Sequence, residues 1–390
     1  MSEERIEKGM MKKLGTVEGN LRLGKESTII AEDDTIVVNG SVVSKGSFVC
    51  EGNLQARSLK AKDGSAEIYG DLEIEQMTDV DKRLDIRGSF LCPEVRVGSS
   101  LIVEEESKLG SVTVGGTAKF EGKTLIETIS VGGTLKVSGE SDIGSVSVGG
   151  VAKFDNYADI ESINVGGTVK TTSGKFGTIT VGGVFKASDK VEIEVIDVGG
   201  SVKLVAQSKI KDIDVGGTFR AESDLEFGTL DVGGSVKIEG NAEGEIVKIG
   251  GTISCAENLT CSGNIRVGGS CEVEKVLTGV DIEIGGKLKA KLTNGKYVRI
   301  GRRGEVIGTI NSDKIVISDR AKVGDLYGND IRIEEDCRVR NVYGKDITIE
   351  EGTRVTGEIQ YTNEIFIDDG VKLSIEPKKV KSLPQAKAMK

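Results

Sequence analysis

Residues 129–144, ISVGGTLKVSGESDIG, contain the pattern that decides the fold. Ile129 and Val131 stand on one side of an extended chain with Ser130 between them on the other, and the same alternation resumes after the glycine pair at Leu135. A period of two predicts β-strand, because successive side chains of a strand point to opposite faces. The segment predicts three short strands that are separated by corners.

The corner itself is repeated along the chain. A Val/Ile-Gly-Gly tripeptide occurs eleven times, with its first glycine at Gly115, Gly132, Gly149, Gly166, Gly182, Gly199, Gly216, Gly233, Gly250, Gly268 and Gly285. Successive copies are 17 residues apart, with one spacing of 16 and one of 18. Helical hairpin repeats need about 33 residues or more and leucine-rich repeats about 20–29, so a shorter all-β unit is indicated.

Residues one period apart form apolar columns. One column contains Ile129, Val146, Ile163, Ile179, Ile196, Ile213 and Leu230. Stacked copies would bury a continuous core that no single copy buries alone. We therefore predict an all-β, single-stranded parallel β-solenoid: a three-sided β-helix of roughly 20 coils of about 17 residues, with strands about 4.8 Å apart. The corner glycines are expected to supply positive φ and to leave room for the next coil.

The composition excludes several classes of function. The 390 residues include no histidine and no tryptophan, and the aromatic content is 4%. The lack of histidine excludes Ser-His and Cys-His nucleophile pairs and imidazole metal ligands. Scarce aromatic residues and a net charge of −10 argue against specific nucleic-acid binding. No phosphate-binding loop motif occurs, so we predict no enzyme activity, no cofactor and no nucleotide.

Other polar residues on the columns have simple structural explanations. Asp197, Asp214 and Asp231 would form a short carboxylate stack that could hold a hard cation, but lysine and arginine continue that column, so no metal is predicted. Cys255 and Cys271 fall on inward columns and are expected to act as small buried hydrophobic residues. An acidic column on the third strand, including Asp142, Asp159, Glu192, Glu226 and Glu243, leaves lateral bundling open.

The pattern divides the chain into five parts. We expect an N-terminal tail at 1–14, irregular coils at 15–110, regular Val-Gly-Gly coils at 111–300, further coils at 301–376 and a basic disordered tail at 377–390. No apolar run reaches the about 18 residues of a membrane span, and no signal-peptide core is evident. The six cysteines show no disulfide-framework spacing. These features predict a cytoplasmic location.

The outward position three residues after most glycine pairs is basic. We call this set the VGG ladder; it consists of Lys119, Lys136, Lys153, Lys170, Lys186, Lys203, Arg220 and Lys237. The matching positions near the C-terminus, which we call the C-terminal ladder, are Lys322, Arg338, Arg354 and Lys372. Stacked like charges repel, so one interpretation is a surface for anionic membranes or polymers. The other is that lysine keeps a sheet face soluble.

Two segments resemble a known family. The C-terminal run KIVISDRAKVGDLYGNDIRIEEDCRVRNVYGKDITIEEGTRVTGEI, at 314–359, and GSVVSKGSFVCEGNLQARSL, at 40–59, resemble the bactofilins, which are polymer-forming cytoskeletal proteins. The resemblance implies a right-handed, three-sided β-helix that polymerises end to end without nucleotide, often at the inner membrane face. The chain has about three times as many coils as the family's core, and its glycine pairs are not a familiar family signature.

These observations lead to two functional hypotheses. The first is a structural protein whose coils self-associate end to end into filaments or a cytoskeletal scaffold, because the ends of a solenoid present unpaired strands. Its predicted contact consists of Ile365, Phe366, Ile367, Val371 and Leu373. The alternative is a monomeric binding module whose Lys/Arg ladder docks on an anionic membrane or polymer. The predicted partners are further copies of the chain and, as an additional candidate, the membrane surface.

Overall fold

The computed structural model describes residues 3–388, and these residues form strands, turns and bends without any helix. They belong to two compact units, Met1–Glu192 and Ile193–Lys390. Together the coils make a parallel β-solenoid of about 22 turns, each about 17 residues long. The all-β fold and the parallel stacking predicted from the repeat are confirmed, while the hand of the coil stays a prediction.

The strands of the first unit are short and closely spaced. They are β1 (Glu3–Ile6), β2 (Met11–Leu14), β3 (Thr16–Val17), β4 (Asn20–Leu23), β5 (Ser27–Ser44), β6 (Phe48–Ala61), β7 (Ala66–Ile68), β8 (Leu72–Val80), β9 (Arg83–Ile86), β10 (Phe90–Val97), β11 (Ser100–Val103), β12 (Ser107–Val114), β13 (Thr117–Phe120), β14 (Thr124–Val131), β15 (Thr134–Val137), β16 (Ser141–Val148), β17 (Val151–Val165), β18 (Thr168–Val181) and β19 (Val184–Ala187).

From Val191 onward the same organisation continues. The strands are β20 (Val191–Val198), β21 (Ser201–Leu204), β22 (Ser208–Val215), β23 (Thr218–Ala221), β24 (Leu225–Val232), β25 (Ser235–Ile238), β26 (Ala242–Gly244), β27 (Ile246–Ile249), β28 (Thr252–Cys255), β29 (Leu259–Cys261), β30 (Ile265–Val267), β31 (Cys271–Val273), β32 (Val276–Thr278), β33 (Asp281–Ile284), β34 (Lys287–Ile300), β35 (Glu305–Ile317), β36 (Lys322–Ile333), β37 (Arg338–Ile349), β38 (Arg354–Val355), β39 (Ile359–Ile367), β40 (Lys372–Leu373) and β41 (Lys378–Lys379).

Each strand pairs in parallel with its counterpart one coil away. Ile129 pairs with Val146, which in turn pairs with Ile163. All three side chains are at most 2% exposed. Phe120 and Phe154 alternate in their column with the smaller Val137, so large and small side chains interdigitate along the core. The repeat period therefore places chemically equivalent side chains on top of one another.

Of the two reasons expected for the corner glycines, the room that they leave for the next coil is confirmed and the positive φ is not. The φ angles of Gly115, Gly132 and Gly149 do not lie in the left-handed region. Instead, a β-carbon on Gly132 would lie 2.2 Å from the carbonyl oxygen of Gly115 in the neighbouring coil. The expectation of positive φ is wrong for these corners, because the close approach of two main chains alone excludes a side chain.

Paired strands extend into both segments that the sequence pattern left as tails. Within 1–14, β1 pairs with β4 and β2 pairs with β5, because Ile6 and Leu14 continue the buried columns. Within 377–390, β41 pairs with Gln360 and Tyr361. The Thr309 hydroxyl then donates a hydrogen bond of 3.0 Å to the Lys387 carbonyl. The basic segment thus runs back over the coils of its own unit.

Candidate functional site: basic ladders and the last coil

The VGG ladder forms stacked columns within each unit. In the first unit Lys119, Lys136, Lys153, Lys170 and Lys186 are successive register partners. In the second unit Lys203, Arg220 and Lys237 are stacked in the same way. All of these side chains project from strand positions between two buried residues, as the alternation predicted. The stacking alone would concentrate positive charge on one face.

Carboxylates neutralise much of this ladder in the first unit. Asp155 lies 2.5 Å from Lys153 and 3.5 Å from Lys136, and Lys119 is paired with Glu121. The hydrogen bond from Lys153, with a smaller contribution from the Lys136 charge, holds the pKa of Asp155 below its usual range. Lys170 and Lys186 also belong to the ladder, but no ion pair with them is found among residues 3–388.

The second unit repeats this arrangement. Glu222 lies 3.0 Å from Lys203 and 3.2 Å from Arg220, and Glu239 lies 2.8 Å from Lys237 and 3.6 Å from Arg220. The hydrogen bond from Lys237 lowers the pKa of Glu239. Such exposed pairs contribute little to stability, about 0–1 kcal/mol each. Their main effect is to cancel the charge of the ladder.

The sequence held a signal for this neutralisation. An acidic residue stands two positions after the basic one in four coils, at Glu121, Asp155, Glu222 and Glu239. Because residues i and i+2 of a strand point to the same face, these side chains had to lie beside the ladder. The basic column by itself does not indicate this neutralisation. The VGG ladder is consequently a mixed-charge face and not a purely cationic one.

The C-terminal ladder has different surroundings. Lys322, Arg338, Arg354 and Lys372 are successive register partners, and all four are exposed. The i+2 position carries an acidic residue in four of the VGG coils. After the cations of the C-terminal ladder, the same position is occupied by Gly324, Arg340, Thr356 and Ser374. None of the four ladder cations forms an ion pair within the described part of the chain. This face is therefore cationic in a protein whose net charge is −10.

The corners before these strands orient the ladder. Arg320 and Asp336 adopt left-handed conformations with φ of 60° and 58°, and Gly352 and Gly370 take the same region at 73° and 81°. Each of them stands two residues before a ladder cation. A left-handed conformation costs conformational free energy in residues other than glycine. Arg320 and Asp336 adopt it because the packing of the coil that follows holds the turn in place. Because the same corner is repeated in each coil, all four cations lie on the same face.

Some acidic groups near this ladder have other partners, whereas Glu335 and Glu351, each three residues before a ladder cation, form no ion pair among the described residues. Asp325 accepts two hydrogen bonds from Arg340, at 2.6 and 2.7 Å, and a third from Asn341 at 2.8 Å. The bond with Asp325 raises the pKa of Arg340. At the corners, Asp319 lies 3.7 Å from Arg302, and Asp336 lies 3.5 Å from Arg320. Glu305 lies in the preceding coil and in register with Lys322. Its negative charge marks the end of the cationic face on that side.

A shallow furrow of about 330 Å³ runs along the ladder. Gly308 and Gly324 form part of its floor, and Lys322, Arg338 and Arg340 stand along it. Glu305 also lines the furrow and Arg340 is already paired with Asp325, so Lys322 and Arg338 supply the positive charge that is not neutralised among the described residues. The furrow can accommodate small anionic groups but is too open to enclose a substrate.

The predicted contact residues of the last coil do not all point the same way. Ile365, Ile367 and Leu373 stack on Ile347, Ile349 and Val355, respectively. Those three partners are at most 2% exposed, whereas the residues of the last coil, including Val371, are only half-buried. Phe366 instead stacks beside Thr348 on the outer surface and is 61% exposed. The structure separates Phe366 from the four inward residues.

The returning C-terminal segment covers a third surface that the sequence pattern did not indicate. Residues 383–386 line a groove together with Tyr327 and Tyr343, whose rings stack with centroids 4.7 Å apart. Burial raises the pKa of Tyr343 to about 12, and the negative charge of Tyr327 contributes. The repeated Tyr-Gly dipeptide was visible in the sequence, but nothing in its spacing indicated what lies over it.

The remaining candidate residues do not form a reactive site. Asp214 stacks on Asp231, and Lys248 follows in the same column. Among residues 3–388 no cluster of three or more cysteine or carboxylate groups has a metal-binding arrangement. All six cysteines are buried and free, and burial raises the pKa of Cys271 and of Cys261 to about 12. These thiols remain protonated at neutral pH.

Comparisons with known proteins complete the description. No protein family, curated protein or solved structure matches this chain. The β-solenoid architecture is therefore established by the coordinates alone. Among residues 3–388, none lies in a helix of the length and hydropathy that a membrane crossing requires.

Proposed function

We propose that this protein is a structural, bactofilin-like β-solenoid that self-associates through its last coil into filaments or a scaffold, without a catalytic role or cofactor. The partner is a further copy of the same chain. As in the family that the sequence resembles, the proposed location is the cytoplasm, with the inner membrane face as a second candidate. The observation that supports self-association is the half-exposure of the last coil.

The last coil has the chemistry of a stacking surface. Ile365, Ile367, Val371 and Leu373 continue columns that are fully buried one coil earlier, so their exposed area is apolar surface shaped to receive another coil. Within the described residues, no strand pairs with the outer edge of 364–367 or of β40. Unpaired parallel edges attract strands from other chains, because main-chain hydrogen bonds are then completed.

The shape of the last coil favours a second copy over an unrelated partner. A coil that stacks here needs three short parallel strands at matching angles and an apolar interior, and the chain itself supplies such coils. Strand β41 already occupies the edge at Gln360 and Tyr361, which leaves two sides of the coil for the contact. The contact is small, so we expect association that depends on concentration.

Light scattering coupled to size exclusion tests this proposal. The wild-type chain should exceed 41.3 kDa with rising concentration, and negative-stain microscopy should show whether the assemblies are filaments. The double variant Ile367→Glu/Leu373→Glu should remain monomeric, because it places charges in an apolar contact. The control is Leu91→Glu/Val205→Glu, which makes the same chemical change at side chains that are 42% and 40% exposed elsewhere.

Two results would contradict the proposal. One is a wild-type mass of 41.3 kDa at every concentration. The other is an equal loss of assembly in both double variants, which would mean that added negative charge, and not the last coil, controls association. Circular dichroism of each variant verifies that the coils remain folded.

A further inference from the structure

We propose that the C-terminal ladder, Lys322, Arg338, Arg354 and Lys372, is a docking surface for an anionic lipid bilayer. The inference does not depend on self-association, because one chain contains all four cations. It rests on the contrast between two ladders of the same chain. The VGG ladder is largely neutralised by its own carboxylates, and the C-terminal ladder is not.

The first step is the free charge. In the VGG ladder, each of Lys203, Arg220 and Lys237 lies within 3.2 Å of a glutamate. An approaching anion must displace that glutamate. The four cations of the C-terminal ladder have no such partner within the part of the chain that the structure describes. An anionic surface can therefore interact with them without breaking an existing ion pair.

The second step is geometry. The four residues are consecutive register partners, so they follow one line across a parallel sheet at intervals of about 4.8 Å. Three of the outward neighbours at the i+2 positions, Gly324, Thr356 and Ser374, are small, and the fourth, Arg340, is itself a cation. Such a face allows long basic side chains to reach a plane of phosphate groups at the same time.

The third step distinguishes a bilayer from nucleic acid. The four ladder positions and their i+2 neighbours include no aromatic side chain on which bases could stack, and Tyr327 and Tyr343 of the same strands lie at the groove lined by 383–386. A flat sheet face also offers no helix or protruding ribbon that could enter a duplex groove. A bilayer requires neither feature, since its anionic head groups present diffuse negative charge to juxtaposed basic residues.

The net charge of the chain determines which face is turned toward the bilayer. The net charge of −10 would repel the protein from an anionic bilayer, so only the cationic face can approach it. Glu305 is in register with Lys322 at one side of the face. Binding should accordingly require the ladder, depend strongly on salt and be absent for neutral lipids.

Co-sedimentation of the full chain with lipid vesicles tests the inference. Wild type should bind vesicles that contain phosphatidylserine in phosphatidylcholine, should not bind pure phosphatidylcholine, and should dissociate at high salt. Lys322→Gln/Arg338→Gln/Arg354→Gln/Lys372→Gln should reduce the partition coefficient by a factor on the order of hundreds, since each basic residue contributes about fivefold. Circular dichroism verifies folding of the variant.

The matched control replaces four cations of the VGG ladder: Lys153→Gln/Lys203→Gln/Arg220→Gln/Lys237→Gln. Both variants remove four positive charges from a chain of net charge −10 and so reach −14. The control should retain most of the binding, because its cations are already neutralised by carboxylates. A salt-resistant association of wild type with neutral vesicles would overturn the inference. So would equal losses in the two variants, no binding by wild type, or tighter binding to duplex DNA than to anionic vesicles.

Discussion

At the scale of single residues, the distance between neighbouring coils decides what can stand at a corner. A β-carbon on Gly149 would lie 2.3 Å from the carbonyl oxygen of Gly132. At that distance the main chain of one coil must move. The requirement for glycine therefore comes from the next coil, and not from the φ angle of the residue itself. Arg320, with φ of 60°, shows the opposite case, in which a left-handed corner tolerates a side chain.

The substitution Gly149→Val should destabilise the coils around it. We expect a loss of about 1–3 kcal/mol, because the added side chain overpacks a site where two main chains meet. Thermal unfolding followed by circular dichroism measures the effect. Ser147→Val is the control, since Ser147 is exposed one residue before the end of β16 and a β-branched residue suits a strand. Equal unfolding midpoints for the two variants would contradict this explanation.

At the scale of elements, the coil is the unit that the chain repeats. Thr134 pairs with Val151 and Ile129 pairs with Val146, so both strands keep an offset of 17 residues. Because the side chains of a strand alternate between faces, an offset that is wrong by one residue would turn every inward residue outward. The length of the coil is therefore constrained more tightly than the identity of any one of its apolar residues.

Removing one whole coil should preserve the fold. Deletion of residues 133–149 joins Gly132 to Gly150 and restores a Val-Gly-Gly corner with all columns in register. We expect a β-sheet circular dichroism spectrum and a cooperative thermal transition close to that of wild type. Deletion of 133–141 removes nine residues, about half a coil, and should abolish the local structure, because the strands that follow lose their register partners. If both deletions unfold, or both fold equally well, the coil is not the repeating unit.

At the scale of the whole molecule, stability in each unit is a sum of contacts between neighbouring coils. A coil with a neighbour on both sides buries its inward residues completely, as Ile347 and Ile349 do. The last described coil has such a neighbour on one side, and its Ile365 and Ile367 remain half-buried. The most exposed core surface therefore lies where strand edges are also unpaired, and these two properties together favour association.

Hydrogen exchange should detect this difference between the last coil and the coil before it. In dilute solution the amides of 364–367 should exchange faster than those of 346–349, because part of the outer edge of β39 has no hydrogen-bond partner. At high concentration the proposed association should slow the exchange of 364–367. The Ile367→Glu/Leu373→Glu variant should show fast exchange at every concentration. Equal protection of the two segments in dilute wild type would contradict the unpaired edge.

The sequence alone determined the architecture of the repeated part. Alternation in Ile129 and Val131 and the recurrence of Gly-Gly every 17 residues predicted strands, columns and corners, because both signals are repeated in each coil and describe main-chain geometry. It also located both basic ladders. Their different surroundings could have been inferred from the i+2 positions, since those side chains share a face by the same alternation.

Only the tertiary structure decided which groups meet across coils and where the regular pattern ends. Asp155 neutralises Lys136 from the following coil, Phe366 points away from its apolar neighbours, and the segment after Pro377 returns to Thr309. The pairing across coils recurs in the second unit as Glu222 with Lys203 and Glu239 with Arg220. The exposure of Phe366 and the path of the last segment do not repeat, because they belong to the end of the chain, where the apolar period stops. Periodicity determines where a coil lies, whereas contacts that occur once are set by packing in three dimensions.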